Sequence, residues 1–274
     1  MARVKEAVLI VAKNALFHAV CLGNVERYLG LKGRVMIAAA KLHLYEASYM
    51  KLLRLFVREG AVVVDIGANF GAYTQHLAAL VGPAGRVFAF EPVPPVAAAL
   101  ERACSRMPNV TVIREAVSDR NHGEVPIHVP YLPGRVPEPA LARIDTAPAN
   151  RTDHDTWRTF RVPARALDDR VEQLRGVSFI KADIEGHEAE FLTGAAATIR
   201  AFRPIIQIES AGIASRRSTV LTFARERKYV LLGLLNGRLR SVTDAGELPL
   251  NVYLVPGEAA DAIAASHQNL GRLS

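Results

Sequence analysis

Beyond residue 60, short runs of β-branched and aromatic residues alternate with longer stretches rich in alanine and leucine. The short runs predict strands at Ala61–Ile66, Arg86–Glu91, Val110–Glu115, Ser178–Asp183, Pro204–Glu209, Tyr229–Leu235 and Asn251–Val255. The longer stretches predict helices at Ala72–Leu80, Pro95–Met107 and Glu188–Phe202. This alternation is typical of right-handed crossovers, which give an α/β fold with helices on both faces of a parallel sheet.

The last two predicted strands depart from this alternation. Only a polar, glycine-containing stretch, residues 236–248, lies between them, and it has no helical period. We therefore expect Tyr229–Leu235 and Asn251–Val255 to pair antiparallel at one edge of the sheet.

Residues 121–165 also interrupt the pattern, because they are rich in proline. Long irregular insertions in a compact domain are usually functional loops or disordered segments. We therefore expect an irregular insertion on the substrate side of the main domain. The main domain is predicted to span residues 59–256, and residues 257–274 to form a C-terminal tail.

The first 58 residues differ from the rest in charge. The chain has a formal net charge of +7, and residues 1–58 carry this whole excess, with ten Lys and Arg against three acids. Lys13 and Asn14 interrupt the first apolar run too early for a signal peptide or a transmembrane helix. The segment predicts an N-terminal helical extension that packs on the main domain. A basic amphipathic surface that rests on anionic lipid is the alternative.

Composition sets broader limits. Half of the 274 residues are hydrophobic, which excludes a disordered chain. The two cysteines, Cys21 and Cys104, are too few for a disulfide framework. We expect a cytoplasmic protein, and association with the cytoplasmic face of a membrane is the alternative that the basic segment leaves open. The neutral remainder offers no basic stripe for nucleic acid, so no nucleic-acid partner is expected.

The first motif follows the first predicted strand, where Gly67 and Gly71 flank Asn69. A buried strand that runs into such a turn and then a helix presents free backbone N–H groups to a ligand. A dinucleotide-binding turn has glycines at offsets of about 0, 2 and 5. Here they lie at offsets 0 and 4, which disfavours NAD.

Two further predicted strands end in acids. Glu91 ends the second strand, a place where an acid accepts hydrogen bonds from both hydroxyls of a ribose. Asp183 ends a later strand, and Glu185 and His187 follow it. Because carboxyl ends of parallel strands meet at one edge, these side chains are expected to share a crevice with Gly67.

Together these blocks resemble a known family. They are Asp65–Thr74, Phe90-Glu91-Pro92 and Lys181–Glu188, in this order. They are similar to the FkbM-type methyltransferases, which use S-adenosylmethionine (SAM) mostly to methylate hydroxyl oxygens, and the resemblance covers roughly residues 45–255. It implies a Rossmann-like, seven-stranded class I methyltransferase sheet, mostly parallel with an antiparallel edge strand.

The resemblance also implies roles for single residues. Those expected to bind SAM are Asp65, Gly67, Asn69, Gly71, Glu91, Ser118, Asp119 and Asp183. By the chemistry of their side chains, the residues expected at the reacting end are His187, Asp183 and Glu185. A neutral His187 is the first candidate for the base that takes the hydroxyl proton, and Asp183 is the second. Asp183 and Glu185 also suit Mg²⁺, an ion that the reaction is not expected to require.

The expected function is therefore O-methylation of a sugar, a glycolipid or another secondary metabolite. The acids of the expected pocket, among them Glu209, suit a cationic cofactor. An NAD-dependent oxidoreductase and a catalytically inactive cofactor-binding or membrane-docking protein are the alternatives. Peripheral membrane contact through residues 1–58 stays open, as does the oligomeric state.

Overall fold

Strands and helices alternate along the described part of the chain. The computed structural model describes residues 27–29, 31–35, 47–132, 136–144, 157–209, 214–235, 238–243, 249 and 251–270. Its strands are β1 (Val62–Ile66), β2 (Arg86–Phe90), β3 (Val110–Ile113), β4 (Ala116–Ser118), β5 (Gly123–Leu132), β6 (Val136–Pro137), β7 (Arg143–Ile144), β8 (Trp157–Ala166), β9 (Val177–Ala182), β10 (Ile205–Glu209), β11 (Tyr229–Leu235), β12 (Arg238–Ser241) and β13 (Asn251–Pro256). Its helices are α1 (Ala47–Phe56), α2 (Ala72–Val81), α3 (Pro94–Cys104), α4 (Glu188–Gly194), α5 (Ala196–Phe202), α6 (Ala214–Glu226) and α7 (Gly257–Leu270).

The main sheet has the order β12-β11-β13-β10-β9-β1-β2-β3. The five strands β10, β9, β1, β2 and β3 are parallel. The two central strands, β1 and β9, are buried on both faces, and Val63, Val64 and Phe179 are fully buried. This double burial explains why these strands are continuous apolar runs in the sequence. Because the five strands are parallel, their carboxyl ends all lie at one edge of the sheet.

The antiparallel part of the sheet confirms one prediction and corrects its position. β13 pairs antiparallel with β11, as expected, but also with β10 on its other side. The sheet edge is formed by β12, which pairs with β11 and lies within the stretch expected to be only a connection. Leu239 is buried between the exposed Arg238 and Arg240, and such charged alternation is typical of an edge strand.

The expectation of an irregular insertion at residues 121–165 is corrected by the structure. β5 and β8, both in this stretch, pair antiparallel, β4 joins β8, and β6 and β7 pair with β5. Val125, Ile127 and Val129 are buried at alternate positions of β5. In the sequence, Pro126 and Pro130 obscure this alternation of buried and exposed positions. The carbonyl of Pro130 accepts a hydrogen bond from Glu138 N, so the missing N–H of Pro130 lies on the side away from β8.

Within the predicted N-terminal extension, α1 packs on the main sheet. Leu53 is fully buried, and the ring of Phe56 lies 4.5 Å from that of Tyr253. α7, in the predicted C-terminal tail, contacts α1. Residues 1–26 and 36–46 lie outside the described residues. Among the described residues, no helix combines the length and the apolar character that a membrane span requires.

Two predicted elements are divided in the structure. The strand expected at Val110–Glu115 ends at Ile113. The chain then continues as β4 into a second sheet, which consists of β4 to β8. The helix expected at Glu188–Phe202 breaks at Ala195 into α4 and α5. A Cβ atom on Gly194 would overlap the carbonyl oxygen of Ser118, so α4 ends tightly packed on the backbone of β4.

Candidate functional site

A cleft of about 220 Å³ lies at the carboxyl ends of β1, β2, β9 and β10. The predicted site residues that line it are Gly67, Asn69, Glu91, Asp183 and Glu185. The predicted site residues that do not line it are Asp65, Gly71, Ser118, Asp119 and His187. The structure therefore brings together the turn, the predicted ribose-binding acid Glu91 and two of the three predicted catalytic residues.

The turn after β1 is fixed by backbone packing. Gly67 has φ +73°, and a Cβ atom there would overlap the carbonyl oxygen of Asp183. Asn69 also has a left-handed backbone, with φ 51°. Gly71 has φ +87°, but its missing Cβ faces Leu100 instead of the cleft. Gly67 thus lets the ends of β1 and β9 meet, whereas Gly71 serves the packing of α2 on α3.

Asp65 lies behind the cleft. Its side chain is fully buried, and its Oδ2 accepts a hydrogen bond of 2.7 Å from the hydroxyl of Thr74. Lys181 Nζ lies 3.7 Å from Asp65 Oδ1 and 3.2 Å from Asp183 Oδ2. Burial raises the pKa of Asp65, and the ammonium of Lys181 opposes this effect. Asp65 therefore positions α2 and Lys181, and through Lys181 it is connected to Asp183.

Glu91 clamps two backbone segments at the cleft. Its Oε2 accepts a hydrogen bond of 2.9 Å from Asn69 N, and its Oε1 accepts one of 2.9 Å from Val93 N. The residue is only 5% exposed, and burial raises its pKa to about 7 although both N–H groups lower it. Each carboxylate oxygen keeps a free lone pair for a ligand hydroxyl.

Three carboxylates converge on the cleft from neighbouring strand ends. One oxygen each of Asp183, Glu185 and Glu209 lies within 4.8 Å of the others, and we call these three residues the acidic cluster. Burial and the charges of Asp183 and Glu185 raise the pKa of Glu209 to about 8. Glu185 has φ 50°, a left-handed backbone conformation that residues other than glycine rarely adopt.

His187 does not face the cleft. Its Nε2 lies 2.9 Å from the hydroxyl oxygen of Ser118, and its Nδ1 lies 3.7 Å from Glu190. It is 7% exposed, and burial lowers its pKa. His187 thus joins the start of α4 to β4 through its contact with Ser118. The structure does not support the predicted role of His187 as the base.

Ser118 and Asp119 do not line the cleft either. Ser118 is 1% exposed and bonds Asp119 and His187. Asp119 binds His122 at 2.6 Å, and this hydrogen bond lowers the pKa of Asp119. The cleft is lined instead by Ala116 and Val117. The residues of this segment that line the cleft thus precede the predicted pair by two positions.

The second wall of the cleft is apolar and comes from the second sheet. Its residues are Ile127, Pro139, Ala142 and Ile144, and we call them the apolar wall. The wall is tied to the N-terminal extension, since Glu138 forms an ion pair with Lys32, and both side chains are largely buried. Tyr28 and Leu29 lie in the same buried cluster as Val125 and Phe70.

A comparison with known families decides the identity. The model of the methyltransferase FkbM domain matches residues 65–231, which is more than half of the chain. The chain belongs to the FkbM methyltransferase family. The match begins at Asp65 and includes every cleft residue from the main sheet except Asn251.

The chain is also similar to individual proteins. The 2-O-methyltransferase NoeI of Sinorhizobium fredii is 27% identical over 157 residues, which cover 55% of this chain and 64% of that protein. The match thus spans less than two thirds of that relative's length. The structure of the methyltransferase FkbM from Methylobacillus flagellatus is 20% identical and has a TM-score of 0.46, covering 77% of this chain and 47% of that one. A SAM-dependent O-methyltransferase from Thermotoga maritima has a TM-score of 0.43 at 14% identity, covering 76% and 63%.

The structure adds cleft residues that the sequence analysis missed or left without a role. Glu209 was expected in the acidic pocket, but its convergence with Asp183 and Glu185 was not foreseen. Asn251 was missed; it lines the cleft because β13 pairs with β10 so that Asn251 lies opposite Glu209. In the sequence, Asn251 was notable only as the first residue of a predicted strand. No spacing connected it with the FkbM motifs.

Proposed function

We propose that this FkbM-family protein is a SAM-dependent O-methyltransferase, acting on a hydroxyl group of a sugar, a glycolipid or another secondary metabolite. The observation that carries the proposal is the meeting of the family's turn, Glu91 and the acidic cluster in one cleft. O-methylation is supported by the similarity of the chain to NoeI, a 2-O-methyltransferase.

The residues of the cleft fit the cofactor by their chemistry. SAM is cationic and carries a ribose, and the cleft offers carboxylates to both parts. Glu91 keeps lone pairs for the ribose hydroxyls beside the hydrogen bonds from Asn69 N and Val93 N. The buried Oδ1 of Asn69 has no hydrogen-bond partner among the described residues, so a ligand donor would satisfy it.

When bound, SAM supplies a methyl group on a positively charged sulfur, which becomes a neutral thioether when the carbon–sulfur bond breaks. The chain must align the acceptor oxygen with that methyl group, and alignment alone accounts for much of the acceleration in such reactions. Asp183 and Glu185 line the cleft, and in the proposed reaction they hold the acceptor hydroxyl. Asp183 takes its proton as the new carbon–oxygen bond forms.

The cofactor assignment is tested by thermal denaturation with SAM, with its demethylated product S-adenosylhomocysteine (SAH) and with NAD. We expect SAM and SAH to raise the melting temperature and NAD to leave it unchanged, because a ligand of the folded state stabilises it. Glu91→Ala should abolish the shift. Glu101→Ala, which removes a surface carboxylate paired with Arg114, is the matched control and should preserve it.

The acceptor is sought by incubating the protein with labelled SAM and extracts of lipids or oligosaccharides. Label in a base-stable ether on a sugar hydroxyl is the expected result. Stabilisation by NAD alone would overturn the proposal, and so would transfer of the label exclusively to nitrogen.

A further inference from the structure

The acidic cluster concentrates three carboxylates at the ends of two adjacent strands. Asp183 and Glu185 follow β9, Glu209 ends β10, and one oxygen of each lies within 4.8 Å of the other two. Like charges at this distance repel each other strongly in a partly buried site. Lys181 offsets part of this repulsion at Asp183, but it is shared with the buried Asp65.

Asn251 supplies a second, independent observation. It is the first residue of β13, it lies opposite Glu209 in the register, and it lines the same cleft. Its side chain is only 8% exposed. No hydrogen bond joins its side-chain amide to another residue that the structure describes. The amide therefore stays available to a ligand in the cleft.

The four side chains together favour a hard divalent cation. Three carboxylate oxygens and one neutral amide oxygen are the donor types that Mg²⁺ and Mn²⁺ prefer, and Mg²⁺ sites in proteins usually keep further positions for water or substrate oxygens. The ammonium group of a bound cofactor would carry a single positive charge. A divalent cation carries two positive charges and compensates two carboxylates.

We propose that Asp183, Glu185, Glu209 and Asn251 form a binding site for a divalent cation of the size of Mg²⁺. Each carboxylate gives the cation one oxygen, so its second oxygen remains available to the hydroxyl proton. The open positions suit two neighbouring hydroxyl oxygens of a sugar ring. This role rests on the proposed function, whereas binding of the cation itself does not.

The proposal is tested by titrating the full chain with Mn²⁺ and following free Mn²⁺ by electron paramagnetic resonance. We expect one saturable site for which Mg²⁺ competes. Glu209→Gln and Asn251→Ala should each weaken it by about tenfold or more, because each removes a ligand. Asn251→Asp, which preserves the shape of the side chain, should strengthen Mn²⁺ binding by adding a charge.

Glu115→Gln is the matched control. Glu115 lines the same cleft, but its carboxylate is paired with Arg170 at 2.7 Å, outside the acidic cluster. Unchanged Mn²⁺ affinity in this variant is expected. An equal loss in Glu115→Gln and Glu209→Gln would show general attraction by negative charge and overturn the site, and so would the absence of saturable binding.

The two proposals fail separately. SAH binding with no Mn²⁺ site would remove the cation and leave the methyltransferase function. A Mn²⁺ site that loses affinity in Glu209→Gln, in a protein that binds neither SAM nor SAH, would confirm the cation site and remove the proposed function.

Discussion

The two walls of the cleft are built in opposite ways. The acidic cluster lies at the ends of β9 and β10, strands in the interior of the main sheet with partners on both sides. The apolar wall comes from Ile127 of β5 and from short elements between residues 139 and 144 in the second sheet. Reacting groups need fixed positions, which buried strand ends provide. The contrast suggests that chemistry depends on the main sheet and acceptor choice on the second sheet.

The largest expected effect tests whether the chemistry belongs to the acidic cluster. Asp183→Asn should lower turnover by about 10² to 10⁴, the usual contribution of a positioned proton acceptor. The matched variant His187→Asn should lower turnover less than about tenfold, since that side chain faces Ser118. Methyl incorporation from labelled SAM measures both. A larger loss in His187→Asn would return the base role to the histidine.

The second prediction concerns the backbone contact that supports the acidic cluster. Gly67→Ala should destabilise the protein by more than about 3 kcal/mol, because the new methyl group overlaps the carbonyl oxygen of Asp183 at a positive φ. Gly60→Ala is the control: its φ is +78°, but no atom lies within 4 Å of the new methyl group. We expect it to cost about 1 kcal/mol. Urea unfolding compares the two, and equal losses would refute the overlap.

The third prediction follows from the pKa of Glu91. Its value of about 7 lies above its ordinary 4.5, so the folded protein binds this proton more tightly than the unfolded chain does. The stabilisation is complete below pH 4.5 and is lost as the pH rises through 7. From this group alone, the free energy of unfolding without cofactor should fall by about 3 kcal/mol across that range.

Urea unfolding at several pH values measures this dependence. Glu91→Gln should remove it, so the difference between wild type and variant should change with pH between 4.5 and 7. The surface variant Glu101→Gln should retain the dependence of the wild type. A difference between wild type and Glu91→Gln that is constant with pH would show that Glu91 is already ionised in the folded protein.

The smallest expected effect tests the apolar wall. Ile144→Ala should raise KM for the acceptor by about tenfold or less, because it removes apolar contact area worth about 1 to 2 kcal/mol. The turnover number and the Kd for SAH should stay close to the wild-type values. Weaker SAH binding with an unchanged acceptor KM would show that this wall binds the cofactor. The second sheet would then not determine the choice of acceptor.

The sequence predicted the parts of the fold whose signals are local. The central strands are recognisable because burial on both faces demands uninterrupted apolar residues, as in Val62–Ile66. Glu91 and Asp183 were placed in one cleft correctly, since carboxyl ends of parallel strands always share an edge. The alternation in β5 was obscured by Pro126 and Pro130.

Other features depend on contacts between distant segments, which periodicity does not report. His187 follows Asp183 by four residues, but whether its ring faces the cleft depends on where β4 and Ser118 lie. The place of Asn251 in the cleft depends on the register between β10 and β13. Neither the family motifs nor the hydrophobic pattern contains that register.

The position of β13 has a practical consequence for dissecting the protein. The family match ends at residue 231, within β11, but the strand that separates β10 from β11 comes later in the chain. A shortened protein cut at that boundary would lose an interior strand and, with it, Asn251. The two strands on either side would be left with unpaired backbone groups, which favour aggregation. The smallest unit suitable for expression therefore extends at least to Pro256, well past the end of the family match.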